Sequence, residues 1–402
     1  MTLARISVFY LRKRALSTAL NVALLAFGIA AVTLLLLTST QLEQRIQRDA
    51  RGIDLVVGAQ GSQTQLILSA VYGLDAPAGS IGWNDVQEIA SHRGVAKAIP
   101  LAMGDHYYGF RIVGTTHDYP AHYGAAPVEG ALWTGPLEAV FGADVAARLR
   151  PRIGSRFDAS HSVPGSAGLP HPEASYRVVG ILGRTGTVID RLVLTDVASY
   201  WRLHPAPQEP DGALVREPPI DSGGTVTALL LQYDVSHAAS EIPYVVNQLG
   251  LQAASPAHEA GRLHGIISVG IDLLRGFAIV LMLAAALSIF IALYHGLNER
   301  RYDIAVMRTL GATRADVMGL LFFEGLLLAL AGAVVGLALG HLLTTGFGIA
   351  LSEAQQMAVS GWTWSIQELW IVALALLVGF VSALLPAWRA HEVDIAAPLA
   401  RG

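Results

Sequence analysis

The residue types in this sequence best able to do chemistry are its thirteen histidines, and their spacing argues against a metal or hydrolytic centre. His106, His117, His122, His161 and His171 stand singly in stretches that read as loops, whereas a tight zinc site needs ligands that converge. His258-Glu259 followed by His264 is two residues too long for the H-E-x-x-H helix of a zinc protease. Gly165-Ser166-Ala167-Gly168 lacks the spacing of a G-x-S-x-G nucleophile turn. Lysine occurs only at Lys13 and Lys97, and neither follows a glycine. No G-x-x-x-x-G-K-[S/T] loop therefore exists, and the chain cannot hydrolyse ATP by a P-loop mechanism. With no cysteine there is no disulfide framework, no thiolate ligand set and no thiol nucleophile. The chain reads as non-catalytic, with no cofactor or metal of its own.

The charges that do cluster lie in Glu299 to Gly325, ERRYDIAVMRTLGATRADVMGLLFFEG, a polar segment wedged between two apolar runs. Glu299, Arg300, Arg301, Asp303, Arg308, Arg314 and Asp316 carry its charge, which by content alone reads as an ordinary solvated loop between membrane spans. Ile304, Met307 and Leu310 recur at roughly helical spacing and supply one apolar side, so the segment predicts a short amphipathic helix near 299–311. Gly311 is placed to end it, and Thr313 followed by Asp316 reads as the capping-box start of the next helix. Glu324 is the one charge inside the apolar run that follows. A carboxylate at a bilayer centre costs about 2.5–3.5 kcal/mol on insertion scales, so Glu324 is expected near the headgroups or beside a partner.

Elements that could hold such a knuckle in place are written around it. At 53% hydrophobic and 14% charged, the 402 residues are too apolar for an average soluble domain, and a net charge of -4 does not suit a nucleic-acid binder. Residues 1–15 carry Arg5, Arg12, Lys13 and Arg14 against no acid, with Ile6, Phe9 and Tyr10 on an interfacial face, and form an amphipathic elbow. Leu16 to Leu37 then runs about 22 residues without a charge, enough to cross a bilayer. A signal peptide would carry an apolar region of only about 7 to 15 residues and an A-x-A-like site, so 16–40 reads as an uncleaved anchor. Cations before this span place the N-terminus in the cytoplasm and residues 41–265 outside. Further spans are expected at 266–295, 317–345 and 368–388, with a charged cytoplasmic helix and turn at 296–316, an outer loop at 346–367 and a cytoplasmic tail at 389–402. Asp272 and Arg275 should pair at the outer face, and Trp362, Trp364 and Trp370 suit an interfacial belt. Gly332, Gly336 and Gly340 make two overlapping G-x-x-x-G units, which allow close approach by a helix of the same chain or of another subunit.

Within the external region, glycine-punctuated strands and helices predict an α+β domain. Glycines 58 and 61 break a strand-like run before a short apolar helix in 51–81, and Asn84 with Gln87 is expected to cap a helix ending near Gly94. Phe110 to Gly114 reads as a strand, and alternating strands and helices are expected at Glu129-Gly130, over Glu138 to Gly154, at Tyr176 to Leu182, at Thr195 to Trp201 and at Thr225 to Tyr233. The Pro-, Gly- and Ser-rich stretches 161–172 and 205–219 read as irregular excursions.

The run E-R-R-Y-D-I-A-V-M-R-T-L-G-A-T-R followed by F-E-G closely resembles the FtsX-like or MacB-like family of ABC transporter permeases. Ala305, Leu310, Gly311 and Ala312 match its E-I-A-x-x-R-x-L-G-A core, Glu324 and Gly325 match its Glu-Gly, and Asp303 stands where Glu is common. In the external region a V-x-G strand, an E-G turn, an E-A-V-x-G helix and a V-V-G-I-L strand resemble the MacB-type periplasmic core, so the likeness covers nearly the whole chain. The resemblance implies a membrane α-helical permease of the bacterial inner membrane. It implies four transmembrane helices, both termini cytoplasmic, and a large periplasmic α+β domain between helices 1 and 2. Residues 299–311, with Arg314, would be the coupling helix that docks on separate ABC ATPase subunits, which bind the ATP and Mg. A second permease copy or a related permease, membrane lipids and a periplasmic cargo or accessory protein are the other expected partners. Mechanical work on lipoproteins, peptides or lipophilic molecules outside the membrane is the implied function. The alternative is an FtsX-like regulator of a periplasmic cell-wall hydrolase, for which an external domain this large is not expected.

Overall fold

The computed structural model describes residues 3–160, 170–204, 224–235, 238–355 and 359–391. Its contacts divide the chain into two compact units, Met1–Leu42 with Ile266–Gly402, and Glu43–Gly265. Helices and strands are numbered along the chain.

The first unit is helical. Four helices are long and apolar enough to cross a membrane: α2 (Ala15–Asp49), α9 (Pro256–Glu299), α11 (Arg314–Gln355) and α12 (Glu368–His391). All four extend beyond the apolar runs that announce them, and Pro256 opens α9 at a first helical position, where its missing N–H costs nothing. Leu25 and Ile29 of α2 pack with Ala285, Ile289 and Leu293 of α9, Leu328, Ala329 and Ala333 of α11, and Ile371, Ala375 and Ala383 of α12. Their opposite faces are apolar too: Phe27, Phe277, Leu283, Val334, Leu342 and Leu377 are exposed, as befits helices that face lipid.

Small residues set how closely these helices approach. A Cβ on Gly336 would stand 2.7 Å from the Cβ of Ile29 and 2.8 Å from the carbonyl oxygen of Ala26. Gly332 and Gly340 lie equally tight against Leu25 and Thr33, so α2 of the same chain fills the glycine face of α11. Gly325 lies backbone to backbone with Gly379 of α12, where an added Cβ would be 2.8 Å from the Gly379 carbonyl oxygen.

The second unit is built on a ten-stranded mixed sheet, counted among the described residues, in the order β12-β1-β11-β3-β4-β9-β6-β8-β5, with β7 beside β3 and β8. These strands are β1 (Leu55–Gly58), β3 (Val95–Tyr107), β4 (Phe110–Thr115), β5 (Pro127–Gly130), β6 (Glu138–Phe141) and β7 (Arg156–Ser160). The others are β8 (Pro170–Leu182), β9 (Leu192–Asp196), β11 (Ala228–Tyr233) and β12 (Gln252–Ala254). β4 with β9 and β6 with β8 run parallel, and the other pairs are antiparallel. Successive side chains on a strand point to opposite faces, and both faces here are covered. Val56 and Leu230 therefore enter one core, while Leu55, Val57, Leu229 and Leu231 enter another, which explains the unbroken apolar run in 55–57.

Three local expectations are corrected. Glu138–Phe141 is a strand between β8 and β9, and the helix α6 (Ala143–Leu149) begins only after it, because buried Ala139, Val140 and Phe141 form a run too short and too apolar to wind as a surface helix. Asn84 does not cap α4 (Trp83–Ala90): Gly82 holds the cap position with no side-chain bond, since its backbone pairs with Thr225 and the Trp83 N–H donates to the Gly224 carbonyl. Residues 170–172 belong to β8, whereas the rest of 161–172 and all of 205–219 lie outside the described residues.

Candidate coupling site

The polar knuckle between α9 and α11 folds as α10 (Arg301–Thr309). Gly311 ends it at φ +102°, a conformation open to glycine and strained for any residue with a Cβ. The Thr313 N–H and hydroxyl both donate to Asp316 Oδ2, at 2.8 and 2.7 Å, and the Asp316 N–H donates back to Thr313 Oγ1 at 3.2 Å. This reciprocal box starts α11.

Ile304 and the partly buried Met307 pack with Leu297, Val317, Leu321, Ala387 and Ala390, which seats α10 on the ends of α9, α11 and α12. Leu310 does not join them and is 83% exposed. At about 100° per residue, the six steps from Ile304 carry it some 120° off the apolar stripe. Arg300 is a second correction: it was expected among the docking cations, yet it is buried and faces inward. Its guanidinium makes a two-pronged bond to Glu324, at 2.9 and 3.0 Å, with both side chains under a tenth exposed. The partner that the buried Glu324 requires is thus supplied by the preceding helix end.

From the other side, α1 (Leu3–Lys13) closes on this pair. The Tyr10 ring lies 3.8 Å from the Arg300 guanidinium carbon, and its hydroxyl donates to Asp303 Oδ2 at 3.0 Å. Burial and the neighbouring Asp303 push the Tyr10 phenol up, so it remains a donor. Arg14, just beyond α1, pairs with Glu299. Inward-facing residues thus tie α10 to α1, α9 and α11. Arg301, Tyr302, Leu310 and Arg314 remain on the exposed side, and Arg308 is half-buried beside them. Sequence reasoning placed Tyr10 on an interfacial face and assigned it no contact with the knuckle. The signal available was Glu324 itself, an acid in an apolar run that demands a cation and its supporting ring.

A second polar cluster joins the later part of α11 to the start of α12. His341 Nδ1 lies 2.5 Å from the Gly361 carbonyl oxygen, His341 Nε2 lies 3.1 Å from buried Glu368, and Glu368 also accepts from the Ser365 N–H. Gln41 of α2 bonds both the N–H and the carbonyl of Ser360. The loop so held presents Trp362, Trp364 and, at the start of α12, Trp370 to the outside, each more than three-quarters exposed. In nanodiscs, lipids brominated near the headgroup should quench the fluorescence lost on replacing these three with Phe. If the difference spectrum is indifferent to bromine, the loop stands clear of the interface. Asp272 and Arg275 pair at 3.0 Å on exposed positions of α9.

Two family models match the chain: the MacB-like periplasmic core domain over residues 18–230, and the FtsX-like permease C-terminal over residues 275–394. An uncharacterized ABC transporter permease of Methanocaldococcus jannaschii is 28% identical over 138 residues, which cover 34% of this chain and 34% of the relative. The lipoprotein-releasing system transmembrane protein LolC of Haemophilus influenzae is 30% identical over 129 residues, covering 31% of this chain and 33% of LolC. The macrolide export ATP-binding/permease protein MacB of Nitrobacter winogradskyi is 31% identical over 134 residues, covering 32% of this chain and 19% of MacB. Each match thus spans about a third or less of the relative's own length.

Proposed function

The chain belongs to the ABC transporter permeases of the MacB, LolC and FtsX type with a MacB-like periplasmic core domain, and from that premise we propose that it transmits the work of a separate ATPase to that domain. Extraction or export of lipoproteins, peptides or lipophilic molecules on the outer side of the inner membrane is the work it fits. The observation that carries this reading is the construction of α10. Its inner side is held against α1, α9, α11 and α12, while its outer side offers Arg301, Tyr302, Leu310 and Arg314, a mixed cationic and apolar surface suited to a protein partner. Two helices, α2 and α9, continue from the helical unit into the sheet unit, so the chain has two covalent levers. ATP and Mg belong to the partner, a second permease copy would complete the assembly, and both termini lie in the cytoplasm. The regulator reading is not favoured, because the external region matches a MacB-like periplasmic core domain and its unit, Glu43–Gly265, is larger than an FtsX-like resemblance implies.

A tagged chain extracted gently into nanodiscs should co-purify with an ABC ATPase whose activity the complex stimulates. Recovery of no ATPase under those conditions removes the coupling reading and leaves a standalone membrane receptor or scaffold. Within the complex, replacing Arg301 and Arg308 together by Glu should abolish that stimulation, because reversed charges oppose a complementary surface, while membrane insertion stays normal. Stimulation that survives the double replacement means the ATPase docks elsewhere.

A further inference from the structure

The two helices that run on into the sheet unit each carry one buried carboxylate there, and each carboxylate is held by a different segment. On α2, Asp49 is 1% exposed. Its Oδ1 accepts from the Val188 N–H at 2.7 Å and its Oδ2 lies 3.6 Å from the buried Arg191 guanidinium. Val188 and Arg191 bound the short 3₁₀ turn that leads straight into β9, a strand flanked on both sides. The same helix end is gripped through its backbone: Tyr123 donates to the Asp49 carbonyl at 2.7 Å, and His122 Nε2 lies 2.9 Å from the Arg51 carbonyl oxygen. Burial pushes the Tyr123 phenol well up, so that donor is permanent.

On α9, Glu259 is likewise 1% exposed. Its Oε2 accepts from the Thr64 hydroxyl at 2.7 Å, and Arg262 on the same helix braces it at 3.0 Å. Thr64 lies in α3 (Gln63–Ala70), which follows β1 beside the edge strand β12. Gly58 of β1 lies against this helix, where an added Cβ would fall 2.5 Å from Leu66 Cδ1 and require that side chain to shift. Ser62 accepts from the Gln65 N–H and starts the helix one residue before Gln63.

We propose that Asp49 and Glu259 are the two load points through which movement of α2 and α9 enters the sheet unit, and that the segment 54–70 exists to seat α9. This rests on the coupling reading above and gives a task to the D-L-V-V-G-A-Q-G-S run, which the proposed function alone leaves idle. The seats differ in kind. α2 is held by a charge pair, a backbone N–H and two side chains from a second segment, whereas among the described residues the side-chain grip on Glu259 from outside α9 is a single hydroxyl. α2 is therefore the fixed lever, and the α9 seat is the one that yields first. Both acids are positioning residues, since neither touches cargo or nucleotide.

The chain has no native cysteine, which permits clean labelling. Spin labels at Glu88→Cys and Leu342→Cys, in nanodiscs with the co-purified ATPase, should report a distance shift between the nucleotide-free and nucleotide-trapped states. T64V should reduce the shifted population ratio about tenfold, the scale of one lost hydrogen bond to a charged group, and D49N, which keeps an acceptor for Val188 but removes the charge facing Arg191, at least as much, with ATPase activity retained. T64S keeps the hydroxyl and should keep the shift. Amide exchange separates a load role from simple destabilisation: T64V should speed exchange at the start of α9 while leaving β11 and the end of α2 protected. A full shift in both T64V and D49N overturns the load points and leaves coupling standing. No shift in the unsubstituted complex overturns coupling itself, and the load points with it.

Discussion

Replacing Glu324 with Ala should lower the stability of the helical unit by about 3–5 kcal/mol, because the Arg300 guanidinium is then left buried without its carboxylate. The pair is geometrically tight, with two near-parallel bonds at 2.9 and 3.0 Å and a tyrosine ring against the cation. Removing one partner exposes the full desolvation cost of the other, and that cost exceeds the net worth of the intact pair. Replacing both, as Arg300→Met with Glu324→Leu, should therefore recover most of the loss. Tyr10→Phe keeps the ring over Arg300 and forfeits only the bond to Asp303, so its effect should be the smallest of the series. Thermal unfolding in nanodiscs, followed by near-ultraviolet dichroism, measures all three against the unsubstituted chain. A loss under about 1 kcal/mol for Glu324→Ala, as for an exposed pair, would mean that water reaches the carboxylate and that no lock exists.

Gly336→Leu should prevent α2 and α11 from seating, since even the first added carbon meets Ile29 and a backbone oxygen of Ala26 at under 3 Å. Overpacking of this kind costs about 1–3 kcal/mol and more where backbone must move, and here the obstacle is partly backbone. Gly346, on the same helix, is an internal control because a Cβ there meets nothing within 4 Å. Gly346→Ala should be neutral or stabilise the helix by about 0.5–1 kcal/mol. Yield after membrane extraction, and the efficiency of a disulfide engineered between α2 and α11, distinguish the two sites. If Leu at 336 assembles as well as Ala at 346, the close approach of these helices is not a constraint on folding.

Both results bear on coupling as well as on stability. The Arg300–Glu324 pair joins the end of α9 to the body of α11 across α10, so whatever presses on α10 reaches both helices together. The glycine contact then ties α11 to α2. A lever system needs stiff joints of this type, since a ligand moves an equilibrium only by its different contacts in the two states.

Much of the chain was legible from residue order alone because the rules involved are local. Four apolar runs, the Gly311 stop, the Thr313–Asp316 box and the Asp272–Arg275 pair each depend on residues within a few turns of one another, and each was readable without knowing what lies opposite. Strand or helix was harder to assign for Glu138–Phe141, since four residues, three of them buried, carry no decisive period. Asn84 failed as a cap for a non-local reason: Gly82 is held by Thr225, a residue far away in the chain.

What residue order determined by itself was the class of molecule: four helices are long and apolar enough to cross a membrane, and motif order identifies the family. Tertiary structure alone decided the partners of buried charge. Glu324 with Arg300, Asp49 with Arg191 and Glu259 with Thr64 bridge 24, 142 and 195 positions. A buried carboxylate announces in the sequence that it needs a partner, but which group answers is set by packing, where desolvation makes any unpaired choice too costly to persist.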